Sequence, residues 1–428
     1  MTLADRLDLW GRGWRGPLLA AAVALVAALP GLIALPPLDR DEARFAQASA
    51  QMLESGDFVT LHFQNTPRFK KPVGIYWLQA AAVQALSHVE DRQIWAWRVP
   101  SLLGAMLAAA ACAWGAAAFL KPGGALLAGA MLGGSFMLAT EGAIAATDGV
   151  LCGAVTAAMA ALARLYLAAR DGPSAGWRTR ALFWAALALS VLVKGPIGPM
   201  VVVLTLAALC LWDRRVAWLK TLGWGWGLIL LIAVVGPWAM AITVATDGAF
   251  WGAAVGGDLA PKLMGDQEGH GAPPGFYTLL LPLLIFPACL LLPAGAVTAW
   301  RARAEPAVRF ALCWLIPSWL VFEVAPTKLV HYTLPLYGAL AWLMARALAE
   351  PVGRAGRVVG AVLIGLAAAA FAAAGPLAMA RLGDWSGAAW GWTAAVLFLA
   401  AGGAGAALLL VASARRAMAA GLALALAA

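Results

Sequence analysis

Ionisable residues gather in a few short stretches of this sequence, and carboxylates stand beside lysine and arginine in several of them. The stretches are Asp41 to Ala46, Arg68 to Pro72, Asp148, Asp258 to His270, and Thr327 to Tyr332. A carboxylate can orient or deprotonate a nucleophile, and basic side chains can hold a phosphate. Charged groups in or beside a membrane are costly, so function is our first hypothesis for these residues.

A structural interpretation stands beside the functional one for most of these stretches. Asp148 precedes an apolar run and would also serve as the cap of a helix. Asp41 and Glu42 would suit the positive end of a helix dipole. Lys70 and Lys71 would also serve as interfacial anchors. Taken one at a time, these stretches leave both interpretations open.

The elements that must position these residues are membrane helices. The chain has 428 residues, of which 63% are hydrophobic and 12% charged, and its mean hydropathy is +0.82. These values lie outside the soluble range, and long Ala/Leu/Val runs favour helices over a barrel. The five cysteines stand singly in apolar stretches, so we interpret them as small buried hydrophobes. The net charge of +9 comes from short basic clusters between spans, so a nucleic-acid partner is not expected.

Hydropathy predicts about twelve spans in one membrane domain over 1–428, without a soluble C-terminal domain. A thirteenth would begin in 417–428, which is too short to cross. Lys194-Gly195-Pro196 predicts a tight turn between two of the helices. The predicted spans are 17–37, 97–119, 122–140, 149–169, 180–194, 196–212, 221–246, 276–300, 307–323, 329–349, 356–380 and 389–411.

The distribution of Lys and Arg predicts the orientation. If the N-terminus is cytoplasmic, 19 of these residues fall on the inner face of the membrane. Only four fall on the outer face when the first outer loop is counted separately. Both termini are then cytoplasmic. The first outer loop, 38–96 with Arg98 beyond it, carries seven more, and its segments 42–54 and 72–88 predict helices lying along the interface. The second outer loop is 247–275.

The outer stretches resemble the aminoarabinose-transferase and protein-mannosyltransferase superfamily of C-type (GT-C) glycosyltransferases. Asp41-Glu42-Ala43-Arg44-Phe45-Ala46 and Phe69-Lys70-Lys71-Pro72 look like the first outer loop of that superfamily. The resemblance extends over most of the chain, through Thr147-Asp148, Lys194-Gly195-Pro196, Phe250-Trp251, Lys262, His270-Gly271-Ala272-Pro273, and Lys328-Leu329 with Tyr332.

The resemblance implies an inverting enzyme that moves a sugar from a polyprenyl (undecaprenyl) phosphate to lipid A, an envelope glycan or a protein. The reaction would take place at the periplasmic face of the bacterial inner membrane. Asp41 and Asp148 are the expected catalytic acids. The residues expected to bind substrate or carrier phosphate are Glu42, Arg44, Lys70, Lys71, Lys262, His270, Lys328 and Tyr332.

Three departures from the superfamily bear on specificity and metal binding. Lys70 stands where members of the superfamily often have Glu. Leu259, next to Asp258, stands where the aminoarabinose enzymes have a His. A metal site built from that Glu and that His is therefore not supported in this chain. Lys262 replaces Arg, which keeps the charge but not the planar fork of the guanidinium group.

The alternative function is a transporter or flippase of polyprenyl phosphate or lipid-linked sugar. Transporters commonly show internal repeats, and none is visible in this sequence.

Overall fold

The computed structural model describes residues 1–37, 40–171, 175–261, 265, 270–382, 387–411 and 413–427. Nearly all of the regular structure is helical, so the predicted all-α class is confirmed. The first half contains α1 (Leu3–Trp10), α2 (Arg15–Ala34), α3 (Arg40–Ser55), β1 (His62–Phe63), β2 (Thr66–Pro67), α4 (Gly74–Leu86), α5 (Ile94–Ala116), α6 (Pro122–Gly133), α7 (Phe136–Gly142), α8 (Asp148–Asp171), α9 (Trp177–Lys194) and α10 (Ile197–Asp213).

The second half continues the helical pattern with more interruptions. It contains α11 (Trp224–Ala245), α12 (Ala249–Trp251) running into a π-helix (Gly252–Leu259), α13 (Phe276–Leu284), α14 (Leu292–Arg301), α15 (Pro306–Val324), α16 (Tyr337–Ala347), α17 (Arg354–Leu382), α18 (Ala388–Val411) and α19 (Ala414–Ala427). Short 3-10 turns occupy Val89–Asp91, Ala217–Leu222, Ala288–Leu291 and Leu334–Leu336.

Eleven of the twelve predicted spans coincide with a helix or with a bent pair of helices, although the number of crossings stays a prediction. The span predicted over 329–349 is wrong in its first part, because helical structure begins there only at Leu334, with a 3-10 turn that leads into α16. Among the described residues, seven helices are long and apolar enough to cross a membrane. Two bent pairs would raise this number to nine: α6 with α7, bent by 61°, and α13 with the helix that ends at Arg301, bent by 116°. The two helices predicted in the first outer loop are α3 and α4.

Helix α8 lies at the centre of the bundle and carries Asp148 at its N-terminal end. Of the 18-residue stretch of α8 that is apolar enough to cross a membrane, 89% is buried inside the protein, compared with 11% for the corresponding stretch of α11. Helices α5 and α8 approach closely at glycines, because a Cβ on Gly153 would lie 2.4 Å from the carbonyl oxygen of Gly104. Small residues at a helix contact let two backbones pack this tightly. The close packing fixes the position of the helix that bears Asp148.

The two ends of α8 meet different polar groups. At the C-terminal end, Arg170 and Arg309 pair with the carboxylate of Asp213, which also accepts a hydrogen bond from the Tyr166 hydroxyl at 2.7 Å. Both arginines fall on the face that the charge distribution assigned to the cytoplasm. The N-terminal end of α8 faces the loops that the sequence assigned to the outer side.

Candidate active site

A polar cavity of about 420 Å³ lies where the first outer loop meets the loops before α8, after α9 and after α15. Seven residues that the sequence predicted for catalysis or binding line this polar cavity: Asp41, Arg44, Lys70, Lys71, Asp148, His270 and Tyr332. Its lining also contains ionisable residues to which the sequence analysis gave no individual catalytic or binding role: Arg40, Arg68, Glu141, Lys194, Asp258 and His331. The fold therefore brings together stretches that are far apart in the sequence.

Asp148 lies at the inner wall of the polar cavity and is 4% exposed. Lys194 Nζ donates to Asp148 Oδ1 at 2.6 Å, and the Thr147 hydroxyl donates to Asp148 Oδ2 at 2.9 Å. Lys194 ends α9, where Gly195 turns the chain with a φ of +62° and α10 begins at Ile197. The tight turn predicted at Lys194-Gly195-Pro196 is thus present, and it presents the lysine to the acid.

His331 joins Asp148 to a second buried acid, Glu141. Its Nδ1 lies 3.3 Å from Glu141 Oε1, and its Nε2 lies 3.7 Å from Asp148 Oδ2. Burial opposes protonation of the ring, but the carboxylates of Asp148 and Glu141 outweigh it and raise the pKa of His331 above its ordinary value. The four groups Glu141, His331, Asp148 and Lys194 form what we call the ion-pair cluster. With His331 protonated, its formal charges balance.

The remaining carboxylates of the polar cavity also pair with cations. Lys71 Nζ lies 3.1 Å from Asp258 Oδ2, and Arg44 Nη1 lies 3.2 Å from Asp41 Oδ1. The side chain of Asp41 is 51% exposed, whereas that of Asp258 is 8% exposed. Asp41 is therefore the more accessible of the two acids to a substrate, as a general base should be.

Glu42 is placed differently from its neighbour Asp41, and the prediction that it binds substrate or carrier is wrong for this structure. It is 1% exposed and is absent from the described lining of the polar cavity. Its carboxylate accepts two bonds from the buried guanidinium of Arg98, at 2.7 and 3.0 Å, and one from the backbone N–H of Ala145 at 2.8 Å. Glu42 thereby ties α3 to α5 and to the loop that leads into Asp148 at the start of α8.

Lys328 is a second correction. Its ammonium donates to the backbone carbonyls of Phe322, Glu323 and Ala325 at the end of α15, and the residue is 4% exposed. A lysine that satisfies helix-terminal carbonyls in this way is engaged by the fold and does not face the described cavity. Lys262, the third predicted lysine of this kind, lies outside the described residues.

An apolar groove of about 180 Å³ adjoins the polar cavity. Its apolar walls include Ile197 and Met200 of α10, Phe250 and Trp251. Phe250 packs against Trp238 of α11, the least buried of the candidate spans, with ring centroids 5.3 Å apart. The groove shares seven lining residues with the polar cavity: Lys70, Lys71, Asp148, Lys194, Asp258, Thr327 and Tyr332. A long apolar molecule with a charged end would fit across the two spaces.

The ion-pair cluster also offers donor atoms of the kinds that divalent metals accept. One atom each from Glu141, Asp148 and His331 lies within 4.8 Å of the others. The positive charge beside these acids comes from the protein itself, through Lys194 and the imidazole. An ammonium 2.6 Å from Asp148 would repel a second cation at the same carboxylate. We therefore interpret these three residues as part of an ion-pair network and not as the ligands of a metal ion.

Comparison with known proteins identifies the family. Residues 37–250, half of the chain, match the family model described as dolichyl-phosphate-mannose-protein mannosyltransferase (PMT). The matched region contains Asp41, Lys71, Asp148 and Lys194. The chain belongs to the PMT family. The predicted membership of the wider superfamily is thereby confirmed.

Relatives of this PMT-family chain carry the names of sugar transferases. The undecaprenyl phosphate-alpha-4-amino-4-deoxy-L-arabinose arabinosyl transferase of Pseudomonas paraeruginosa PA7 is 31% identical over 80% of this chain and 63% of its own length. The enzyme of the same name from Pectobacterium atrosepticum is 29% identical over 71% of this chain and 54% of its own length. The chain thus spans less than two thirds of these relatives. Both names describe a transferase, and neither describes a transporter.

A solved structure supports the fold. The crystal structure of ArnT from Cupriavidus metallidurans bound to undecaprenyl phosphate superposes with a TM-score of 0.76, covering 95% of this chain and 76% of that one at 22% identity. The predicted GT-C fold is thereby confirmed. Together with the apolar helices, it makes this PMT-family chain a multi-pass membrane protein.

The structure adds cavity residues that the sequence did not assign. The sequence assigns Lys194 only to a turn and gives no role to Glu141, although an acid and a base beside spans carry the same signal as Asp148. His331 stands next to the predicted Tyr332. Its contact with Glu141, 190 residues away, becomes visible only in the folded chain.

Proposed function

We propose that this chain is an inverting glycosyltransferase that moves a sugar from a polyprenyl phosphate to an acceptor. The observation that carries the proposal is the union of the polar cavity with the apolar groove through seven shared residues. The groove suits the first isoprene units of a carrier that arrives through the bilayer. The shared cations Lys71 and Lys194 suit its phosphate. The family and the named relatives support the same reaction class.

The chemistry follows from the charges at the site. Asp41 accepts the proton of an acceptor hydroxyl as the acceptor oxygen forms a bond to the anomeric carbon. The bond from that carbon to the phosphate oxygen breaks, and the electron pair leaves with polyprenyl phosphate. A phosphate leaving group departs as a stable anion, so it needs positive charge more than a strong acid. Lys71, Arg44 and Tyr332 are placed in the polar cavity to supply positive charge and a hydroxyl donor.

The supporting residues have separate roles in this proposal. Asp148 lies in the ion-pair cluster and orients Lys194 toward the space that the phosphate would occupy. Glu42 acts as a positioning residue, because it holds the backbone at Ala145, three residues before Asp148. His270 lines the polar cavity and is proposed to bind substrate. Lys262 is proposed, from the resemblance alone, to bind the carrier phosphate.

We propose an inner-membrane location with both termini in the cytoplasm and the active site at the periplasmic face. The 19-to-4 distribution of basic residues supports it. The opposite placement of the Asp213 cluster and Asp148 at the two ends of α8 also supports it. Lipid A, other envelope glycans and protein hydroxyls are the acceptor classes that the proposal includes.

The proposal is tested by mass spectrometry of envelope lipids and glycoproteins from a deletion strain. One sugar should be missing, and it should return with the wild-type gene but not with Asp41→Asn. Lys121→Gln, on the predicted cytoplasmic side, is the matched control and should restore the sugar. An unchanged set of envelope glycans, or full complementation by Asp41→Asn, would contradict the proposal.

A further inference from the structure

Lys194 lines both the polar cavity and the apolar groove, where the proposed function places the carrier phosphate. An ammonium group can donate three hydrogen bonds, and within the described part of the chain Lys194 donates one, to Asp148 Oδ1 at 2.6 Å. The other donor positions suit phosphate oxygens. The carboxylate of Asp148 offsets the positive charge of this ammonium, so the groups around Asp148 determine how strongly Lys194 attracts an anion.

His331 is the member of the ion-pair cluster whose side-chain type changes its charge near neutral pH. The titratable groups that face its ring are Glu141 in α7, Asp148 at the start of α8 and Lys194 at the end of α9. In its own loop, the ring of Tyr332 lies with its centroid 5.3 Å from that of His331. The imidazole therefore stands between two acids that belong to different helices.

Protonation of His331 changes the charge of the ion-pair cluster by one unit, whatever other charges line the polar cavity. With the ring protonated, two cations balance two carboxylates. With the ring neutral, Glu141 and Asp148 share the single ammonium of Lys194, and the excess negative charge would repel a phosphate bound beside it. The two acids are 2% and 4% exposed, so solvent and salt screen this repulsion only weakly.

We propose that His331 is a positioning residue of the carrier site, whose protonated ring balances Glu141 and Asp148 while Lys194 contacts the carrier phosphate. The inference rests on the proposed function, because it takes the phosphate to lie beside Lys194. The side chain of His331 is 21% exposed and lines the polar cavity, so its proton comes from solvent. Protonation of the ring and binding of the phosphate then favour each other.

The pH dependence of binding tests the inference. The probe is a fluorescent prenyl phosphodiester, titrated into the purified full chain in nanodiscs of zwitterionic lipid. A phosphodiester keeps one negative charge throughout, whereas a phosphate monoester would gain a second charge near pH 6. Uptake of one proton with the probe raises Kd by at most about tenfold per pH unit above the pKa of His331. We expect Kd for wild type to rise by about fivefold or more between pH 6 and pH 9.

Substitution identifies the histidine that is responsible. His331→Gln should weaken binding at pH 6 by about fivefold or more and remove most of the change with pH. His88→Gln, at an exposed position outside the described lining of the polar cavity, is the matched control and should leave both unchanged. His270 also lines the polar cavity, and His270→Gln should retain the pH dependence. A pH dependence that survives in His331→Gln, or disappears in His270→Gln, would overturn the inference.

Glu141→Gln tests the balance of charges within the cluster. Because one of the two acids that favour the protonated ring is removed, the rise in Kd should begin at a lower pH than in wild type. An unshifted pH profile would overturn the balance.

The wild-type profile decides the inference even if the variants do not fold. A constant Kd from pH 6 to pH 9 with normal sugar transfer would overturn the inference alone. Absent transfer with pH-dependent binding would contradict the proposed function and support the inference. Absent binding at every pH would overturn both.

Discussion

Asp41 and Glu42 are adjacent in the first turn of α3, yet the structure predicts opposite consequences for their substitution. Glu42→Gln leaves the guanidinium of Arg98, which is 0% exposed, without its countercharge. Breaking a buried ion pair by removing one partner costs about 3–5 kcal/mol. Asp41 is half exposed, and its pair with Arg44 resembles a surface salt bridge worth about 0–1 kcal/mol. Asp41→Asn should therefore leave stability nearly unchanged.

The assay compares thermal unfolding in one detergent at one scan rate with sugar transfer by the same preparations. We expect Glu42→Gln to lower Tm by several degrees. We expect Asp41→Asn to keep Tm and to lower kcat by about 10²–10⁴, the usual contribution of a general base. Arg98 also donates to the carbonyls of Gly31, Leu32, Leu35 and Pro36, so Arg98→Met should be at least as destabilising.

The double variant completes a double-mutant cycle for Glu42 and Arg98. Glu42→Gln with Arg98→Met should cost less than the sum of the two single substitutions, because neither charge is then buried alone. Equal Tm values for Glu42→Gln and Asp41→Asn would refute the separation of roles. So would additive losses in the cycle, which would mean that Glu42 and Arg98 do not stabilise each other.

Three further predictions concern other parts of the site and its scaffold. Lys71→Ala should raise the KM for the donor or lower kcat by about 10–100-fold, because a hydrogen bond to a charged group contributes ~1.5–3 kcal/mol. Unchanged kinetic constants would show that Lys71 does not belong to the site. Gly153→Ala should destabilise the protein by about 1–3 kcal/mol, because the added methyl group would meet the backbone of Gly104. Gly403→Ala is the control and should not destabilise it, because the space around Gly403 is open. Equal Tm values for the two variants would contradict the close packing of α5 against α8. The raised pKa of His331 contributes stability that is complete below the ordinary pKa of about 6.5 and is lost as pH rises through the raised value. The Tm difference between wild type and His331→Gln should therefore be largest at acidic pH and narrow as pH rises, and a constant difference would contradict the coupling.

The sequence predicted the helices well because the signal for a membrane helix is local. Apolar length locates the spans, and the Gly-Pro pair at 195–196 locates a turn. The bends were not predicted. The predicted span 122–140 is two helices that meet at 61°, and 276–300 is broken by 116°. Such bends depend on how neighbouring helices pack around Gly and Pro, which a window of hydropathy does not contain.

The sequence predicted on which side of the membrane the residues of the candidate site lie, but not which of them contact one another. Asp41, Lys71, Asp148 and Tyr332 were placed on one face, and the structure brings them to one cavity. Glu42 carried the same local signal as Asp41, and only its contact with Arg98, 56 residues away, shows that it is structural. Spacing along the chain does not reveal which of two adjacent acids faces the core.

The central claim is that this chain cleaves the bond between a sugar and a polyprenyl phosphate. The most direct measurement follows release of free polyprenyl phosphate from a lipid-linked sugar in proteoliposomes with an envelope-lipid acceptor. The account predicts release by wild type, stoichiometric with sugar transfer, and loss of both in Asp41→Asn and Asp148→Asn without loss of folded protein. Unchanged release in both variants, or movement of the intact lipid-linked sugar across the bilayer without release, would contradict it.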